Sequence, residues 1–448
     1  MSREMKHSGI EWIGEIPKEW KTISFSNGIL RMSTGLNPRD NFELSKDDEY
    51  YYVTIKNFKD GKIYLDDNCD RISKQAWRII QERSQLEKGD ILFASISKDG
   101  QAYILEEPPV NWNINESVFC IRTNHDYFFD KYFYYHIIDS QFYNDLRLDA
   151  TGTTFQSIKQ NKLRKSTLCT PPLNEQQKIA DYLDKVCGEV DELVTLQEQM
   201  IEELKAYKQS VITEAVTKGL NPNAPMKDSG VDWIGEIPEH WNYIKLGLLL
   251  QFKGGYAFNS DKYVQNSNNQ VIRIGNVKNN LLLLDTSPVY VDDETAGIAK
   301  NYELKPGCIL FTMTGTKGKR DYFYTLLLKK SDFCKKLYLN QRVGCFIAKM
   351  DICPNYYNYL LKDNRILDQV FLYETGTANQ GNLGIESISR TMLHFPPIEE
   401  QQAIASYLDS KCSEIDALIA IKQQKIEELK DYKKSVIYEY VTGKKEVV

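Results

Sequence analysis

Long apolar runs are missing from this chain: the most apolar stretch, Leu246–Phe252, is far shorter than the roughly 20 residues a membrane-spanning helix needs. The start, "MSREMKHSG", is polar and lacks the apolar core of a secretory signal. Nine cysteines are scattered without one CxxC pair, which argues against a disulfide frame or a zinc site and for reduced thiols in the cytoplasm. Five dispersed histidines offer no metal-ligand spacing. Positive charge is also short. The net charge is −6, and only residues 227–397 carry more Lys and Arg than Asp and Glu, so any contact with nucleic acid must come from local patches.

Catalytic motifs are equally scarce. No Ser/His/Asp or Cys/His set can be assembled, and "FKGGYAF" (Phe252–Phe258) and "TGTKGKR" (Thr314–Arg320) do not fit phosphate-binding loops. "TPPL" (Thr170–Leu173) and "FPPI" (Phe395–Ile398) lack the Asn or Asp and the aromatic that adenine methyltransferases place around Pro-Pro. The chain reads as non-catalytic.

What is present is present twice. "SGIEWIGEIPKEW" (Ser8–Trp20) recurs as "SGVDWIGEIPEHW" (Ser229–Trp241), "YVTIKN" (Tyr52–Asn57) as "VIRIGN" (Val271–Asn276), and "LEKGDILF" (Leu86–Phe93) as "LKPGCILF" (Leu304–Phe311). The 42 residues from Pro171 to Ile212 recur at Pro396–Ile437. A period this long is a duplicated domain, and 448 residues exceed one ordinary core. Each copy opens with the Trp-containing peptide, in which Trp12, Ile13, Ile16 and Trp20 are expected to pin the chain to its body while Gly14 and Pro17 shape a turn. The bodies read as mixed α/β. Ile91–Ile96, Val118–Arg122, Ile309–Thr314 and Val343–Ala348 have strand character, and Tyr132–Leu146 and Tyr356–Leu372 have helical spacing.

Between Leu173 and Leu220 there is no proline, and glycine occurs only at 188 and 219. Apolar residues step by four and three through Ile179, Leu183, Val186, Val190, Leu193, Met200, Leu204, Tyr207 and Val211, with Gln197 in the one gap. This predicts one helix on the order of 65 Å long. The second copy repeats the stripe through Ile404, Leu408, Ile415, Leu418, Leu429, Tyr432 and Val436, with Lys411, Lys422 and Lys425 replacing three seam residues. Neither stripe can stay exposed, so the two helices are expected to pair as an antiparallel coiled coil with pseudo-twofold symmetry. The expected organisation is body 1–172, helix 173–219, linker 220–228, body 229–397 and helix 398–442.

These motifs, with "TGTTFQSI" and "LKAYKQSVITEAVTKG", resemble the specificity subunit of type I DNA restriction–modification systems across essentially the whole chain. The resemblance implies two target-recognition domains that each read half of an asymmetric, interrupted sequence in double-stranded DNA. It implies helices that fix the spacer and help seat two methyltransferase subunits. S-adenosylmethionine would belong to those partners and no cofactor to this chain; motor/nuclease subunits would join for cleavage. The alternatives are a self-contained DNA adenine methyltransferase, or a coiled-coil scaffold without DNA recognition.

The family's contact residues do not carry over by motif, so candidates come from exposed loops rich in Lys, Arg, Gln and Thr. They are Lys98 and Gln101 in "SISKDGQ", Lys317, Lys319 and Arg320 in its counterpart, and Thr153, Gln156, Thr377 and Gln380 in the paired "TGT" loops.

Overall fold

A computed structural model describes residues 3–39, 41–59, 61–96, 101–147, 157–377 and 380–447. It divides into two compact units, Met1–Glu198 with Gln423–Val448, and Gln199–Lys422. Each contains a mixed α/β body, the first part of the long helix that follows that body, and the last part of the other long helix. The long helices are the central one, Leu173–Lys218, and the C-terminal one, Ile398–Val441. Gly219, at φ +76°, closes the first in the left-handed conformation that glycine adopts without strain.

In the first unit an antiparallel sheet runs in the order Ala102–Ile104, Ile91–Ala94, Val118–Thr123, Ile29–Thr34. The second unit repeats it with Thr325–Leu327, Ile309–Thr312, Val343–Ala348 and Leu250–Lys253. A second sheet in each unit holds one parallel pair, Tyr50–Val53 with Trp112–Ile114 and Asn269–Ile272 with Lys336–Leu339. The expected helices Tyr132–Leu146 and Tyr356–Leu372 are each two helices. They are Asp130–Ile138 and Ser140–Arg147, then Pro354–Leu360 and Asn364–Phe371. A buried aspartate makes each break. Asp139 Oδ1 accepts from the amides of Gln141 and Phe142 at 2.9 and 3.0 Å, and Asp363 Oδ1 accepts from Arg365 at 3.0 Å. These side chains cap the new helices, an alternative that outweighs continuing the old ones.

The opening peptides dock where the helices begin and end. Trp20 and Trp241 are fully buried, as are the isoleucines at 13, 16, 234 and 237. Trp20 Nε1 donates to Glu175 at 3.1 Å in the first turn of the central helix, and Trp241 Nε1 donates to Glu400 at 2.8 Å in the first turn of the C-terminal helix. Tyr132 donates to the carbonyl of Val441 and Tyr356 to that of Val216, both at 3.0 Å, so each body also holds the end of the other helix.

Within each unit the two helical segments run antiparallel. In the first, the Tyr182 and Tyr440 rings lie 4.5 Å apart and Lys433 Nζ reaches both carboxylate oxygens of Asp191 at 2.7 Å. In the second, Lys208 Nζ meets Asp416 at 2.8 and 2.6 Å, which is the same pair shifted by the repeat. Ile179, Leu183, Val190, Val211, Ile404, Leu408, Ile415 and Val436 are buried, and Leu204 and Leu429 are half-buried. Leu193, Tyr207, Leu418 and Tyr432 correct the expected seam, for they are 46, 58, 47 and 52 % exposed. The stripe instead steps by four from Val190 to Val194, then through Gln197 and Ile201 to Leu204 and Lys208. The C-terminal helix does the same through Ile419, Lys422, Ile426, Leu429 and Lys433. Steps of three and of four both return a residue near the same face, and the sequence has an apolar residue at each. Lys208 and Lys433 lay their stems along the seam and carry their ammonium groups to an aspartate on the facing segment. Read from sequence, those lysines hide the true phase.

Candidate nucleic-acid interface

Two of the loops nominated by sequence come together in the second unit. Thr314–Gly315 pairs with Gln380–Leu383, which pairs in turn with Glu374–Thr377. This small sheet sets Lys317, Lys319, Thr377 and Gln380 at one exposed end. Gly376 is needed there, since a Cβ at that position would meet the Gln380 carbonyl at 2.0 Å. The loop is ordered from inside. Lys317 Nζ donates to the Gly376 carbonyl at 3.0 Å, the Gly318 amide to Glu374 at 3.0 Å, and Tyr322 Oη to the same carboxylate at 2.6 Å. Burial, then the Glu374 contact, pushes the Tyr322 phenol well up. Thr316 gives its hydroxyl and amide to Asp321, both at 2.7 Å, and these bonds hold that carboxyl below its usual range.

Arg320 is turned away from this group. Its guanidinium pairs with Asp368 at 2.6 Å and lies over the Phe371 ring. The Lys319 amide donates to the Thr316 carbonyl at 3.1 Å, but its side chain makes no hydrogen bond or ion pair among the described residues, so it is the most available cation of the three. In the first unit Gln101 lies at the edge of the strand Ala102–Ile104, and its carbonyl accepts from Ala94 at 2.9 Å. Lys98, Thr153 and Gln156 lie outside the described residues.

A second polar feature was not found from sequence. In the second unit a cleft of about 420 Å³ is lined by Phe258, Tyr263, Arg273, Ser287, Gln341 and Arg342, among others. It forms where the parallel strands Asn269–Ile272 and Lys336–Leu339 end together, because both following turns emerge at one sheet edge. Asn276 shapes the first turn by accepting from the Arg273 amide at 3.0 Å and donating to the Leu283 carbonyl at 2.9 Å. The Arg273 guanidinium is fixed by the Ser287 carbonyl at 2.7 Å. Gln341 and Arg342 are exposed, and their side chains have no hydrogen-bond partner among the described residues. The signal was the echo "TIKN" and "RIGN", whose Ile and Asn agree while its first residue changes.

Together these features define a duplicated α/β protein whose two bodies share a frame and differ in exposed polar turns. The family described as type I restriction modification DNA specificity domain matches at residues 17–206 and again at 238–431. The chain belongs to this family and carries its domain twice. It is similar to the type I restriction enzyme MjaVIII specificity subunit of Methanocaldococcus jannaschii, at 23 % identity over 96 % of this chain and 93 % of that protein. It is also similar to the EcoKI specificity subunit of Escherichia coli K12, at 20 % identity over 90 and 84 % of the two chains. A solved structure described under "complex assembly and conformational transition of the type I R-M system" matches the fold with a TM-score of 0.66 at 15 % identity, over 95 % of this chain and 98 % of that one.

Proposed function

We propose that this chain is the non-catalytic sequence-reading subunit of a type I restriction–modification complex. The recognition bodies are 1–172 and 229–397, joined through helices 173–219 and 398–442 and the linker 220–228. Each body reads one half of an asymmetric, interrupted site in double-stranded DNA, and the helices set the unread spacer. The observation that carries this reading is the duplicated frame with divergent polar turns, since one fold presented twice with different exposed chemistry suits two different half-sites. Lys319, Lys317, Thr377 and Gln380 are proposed DNA contacts of the second body, with Arg320 beside them once freed from Asp368. Lys98, Gln101, Thr153 and Gln156 are the proposed contacts of the first.

The helices favour two copies of one protein partner. The first unit exposes Leu193, Leu196 and Tyr432, and the second exposes their repeat equivalents Leu418, Ile421 and Tyr207. Such a twice-repeated apolar set fits two methyltransferase subunits, which would bring S-adenosylmethionine and the adenine chemistry, with motor/nuclease subunits added for cleavage. Mapping methylated adenines in cells that express the chain with its methyltransferase partner tests the reading. A bipartite motif is expected. Binding of S-adenosylmethionine by the isolated chain would favour the self-contained methyltransferase instead.

A further inference from the structure

The cleft in the second unit has a counterpart in the first, built on the same bonds. Asn57 accepts from the Thr54 amide at 2.8 Å and donates to the Tyr64 carbonyl at 3.1 Å, as Asn276 does with Arg273 and Leu283. The Asn115 amide donates to Val53 at 2.9 Å, and the Asn340 amide to Ile272 at 3.1 Å. The Ser95 amide donates to the Ser117 carbonyl at 2.9 Å, and Met313 to Arg342 at 3.2 Å. Both turn pairs follow the carboxyl ends of parallel strands in matching register, Val53 beside Ile114 and Ile272 beside Leu339.

On this shared frame three positions change chemistry. Thr54, Glu116 and Ser117 in the first body stand where Arg273, Gln341 and Arg342 stand in the second. Residues that hold the turns are the same asparagines, while the neighbouring residues differ; Glu116, Gln341 and Arg342 are exposed, and Glu116 Oε2 also accepts from Tyr52 Oη at 3.2 Å. The asparagines keep the same turns in both bodies, while an acidic residue is exchanged for an amide and a small hydroxyl for an arginine.

Resting on the proposed function, we infer that this turn pair is a base-reading position in each body, separate from the loops around Lys317 and Thr377. Arg342, exposed at the cleft rim, reads a guanine of the second body's half-site, because a guanidinium matches the O6 and N7 acceptors with two parallel bonds. Arg273, held by the Ser287 carbonyl, lines the same cleft. In the first body Glu116 stands at the place of Gln341 and accepts from an exocyclic amino group, of cytosine or adenine. The triplets therefore require unlike half-sites.

The test is adenine-methylation mapping with the full chain and its methyltransferase partner, comparing wild type with Arg342→Ala, Arg342→Lys and Glu116→Ala. Arg342→Ala should make one guanine position degenerate in one half and leave the other half unchanged. Arg342→Lys should relax the same position in part, because an ammonium lacks the planar fork that makes two parallel bonds. Glu116→Ala should relax the opposite half. In a DNA shift assay of the complex, Arg342→Ala should weaken cognate binding about 5- to 150-fold, with non-cognate binding much less affected. The inference is overturned if the motif survives Arg342→Ala unchanged, if Arg342→Lys keeps full specificity, or if both positions act on the same half. Uniform loss on all sequences with an unchanged melting temperature also overturns it, since Arg342 would then supply charge alone. A wild-type chain that yields no bipartite motif fails the proposed function itself, an outcome distinct from these.

Discussion

Trp20 and Trp241 each bury a whole indole yet keep the ring N–H on a glutamate, which is how an amphipathic aromatic closes a core without stranding its donor. Replacing Glu400 by Ala leaves Trp241 Nε1 without its acceptor and should cost about 1–3 kcal/mol in chemical denaturation. Trp20→Ala removes the largest buried side chain of its cluster and should cost about 3–5 kcal/mol. His394 is a different kind of buried polar group. Both ring nitrogens lack hydrogen-bond partners among the described residues, and burial, helped by nearby Arg365, pushes the ring down to about 4. The unfolded chain binds its proton near pH 6.5 and the folded chain only near 4, so stability is lost as pH falls across that window. At pH 5 the loss from His394 is about 2 kcal/mol. His394→Leu should therefore shrink the stability difference between pH 7.5 and pH 5 in melting curves, with His136, also pushed down to about 4 by burial, keeping part of the acid limb; a difference equal to that of the wild type would refute this. Sequence showed that the opening tryptophans mattered. It could not show that a histidine in the strand Met392–Phe395 points into an apolar site.

At the scale of the element, the long helices separate what is legible from what is not. Their existence and limits follow from missing proline, from Gly219 and from apolar periodicity. The face that turns inward does not, because Leu193 and Val194 are both apolar and either suits a helix. Packing selects Val194 and Ile201, leaving Leu193 and Leu196 outside. Ile201→Ala should then cost about 2–5 kcal/mol in chemical denaturation, while Leu193→Ala should change stability by about 0.5 kcal/mol or less. Leu193 and Leu196 changed together to Ala should lower co-purification of the methyltransferase partner without lowering the melting temperature. The broken helices at Asp139 and Asp363 follow the same logic. Apolar spacing runs through the break, and only the capping bonds reveal it.

At the scale of the whole molecule, the two bodies should act independently on DNA. Exchanging residues 1–172 for the corresponding body of a relative should change one half of the methylated motif and keep the other, and methylome mapping reads both at once. A change in both halves would refute the two-body reading. Binding should weaken steeply with salt, because phosphate contacts release counterions even when the chain as a whole is acidic.

The duplication, the mixed α/β bodies, the long helices and the family resemblance were all present in the order of residues, because each rests on local pattern or on one segment repeating another. Tertiary structure alone decided the phase of the helical stripe, the meeting of the Thr314 and Thr377 loops on one small sheet, the turning of Arg320 onto Asp368, and the cleft beneath Arg342. Each depends on which distant residue arrives alongside, and sequence periodicity carries no information about that.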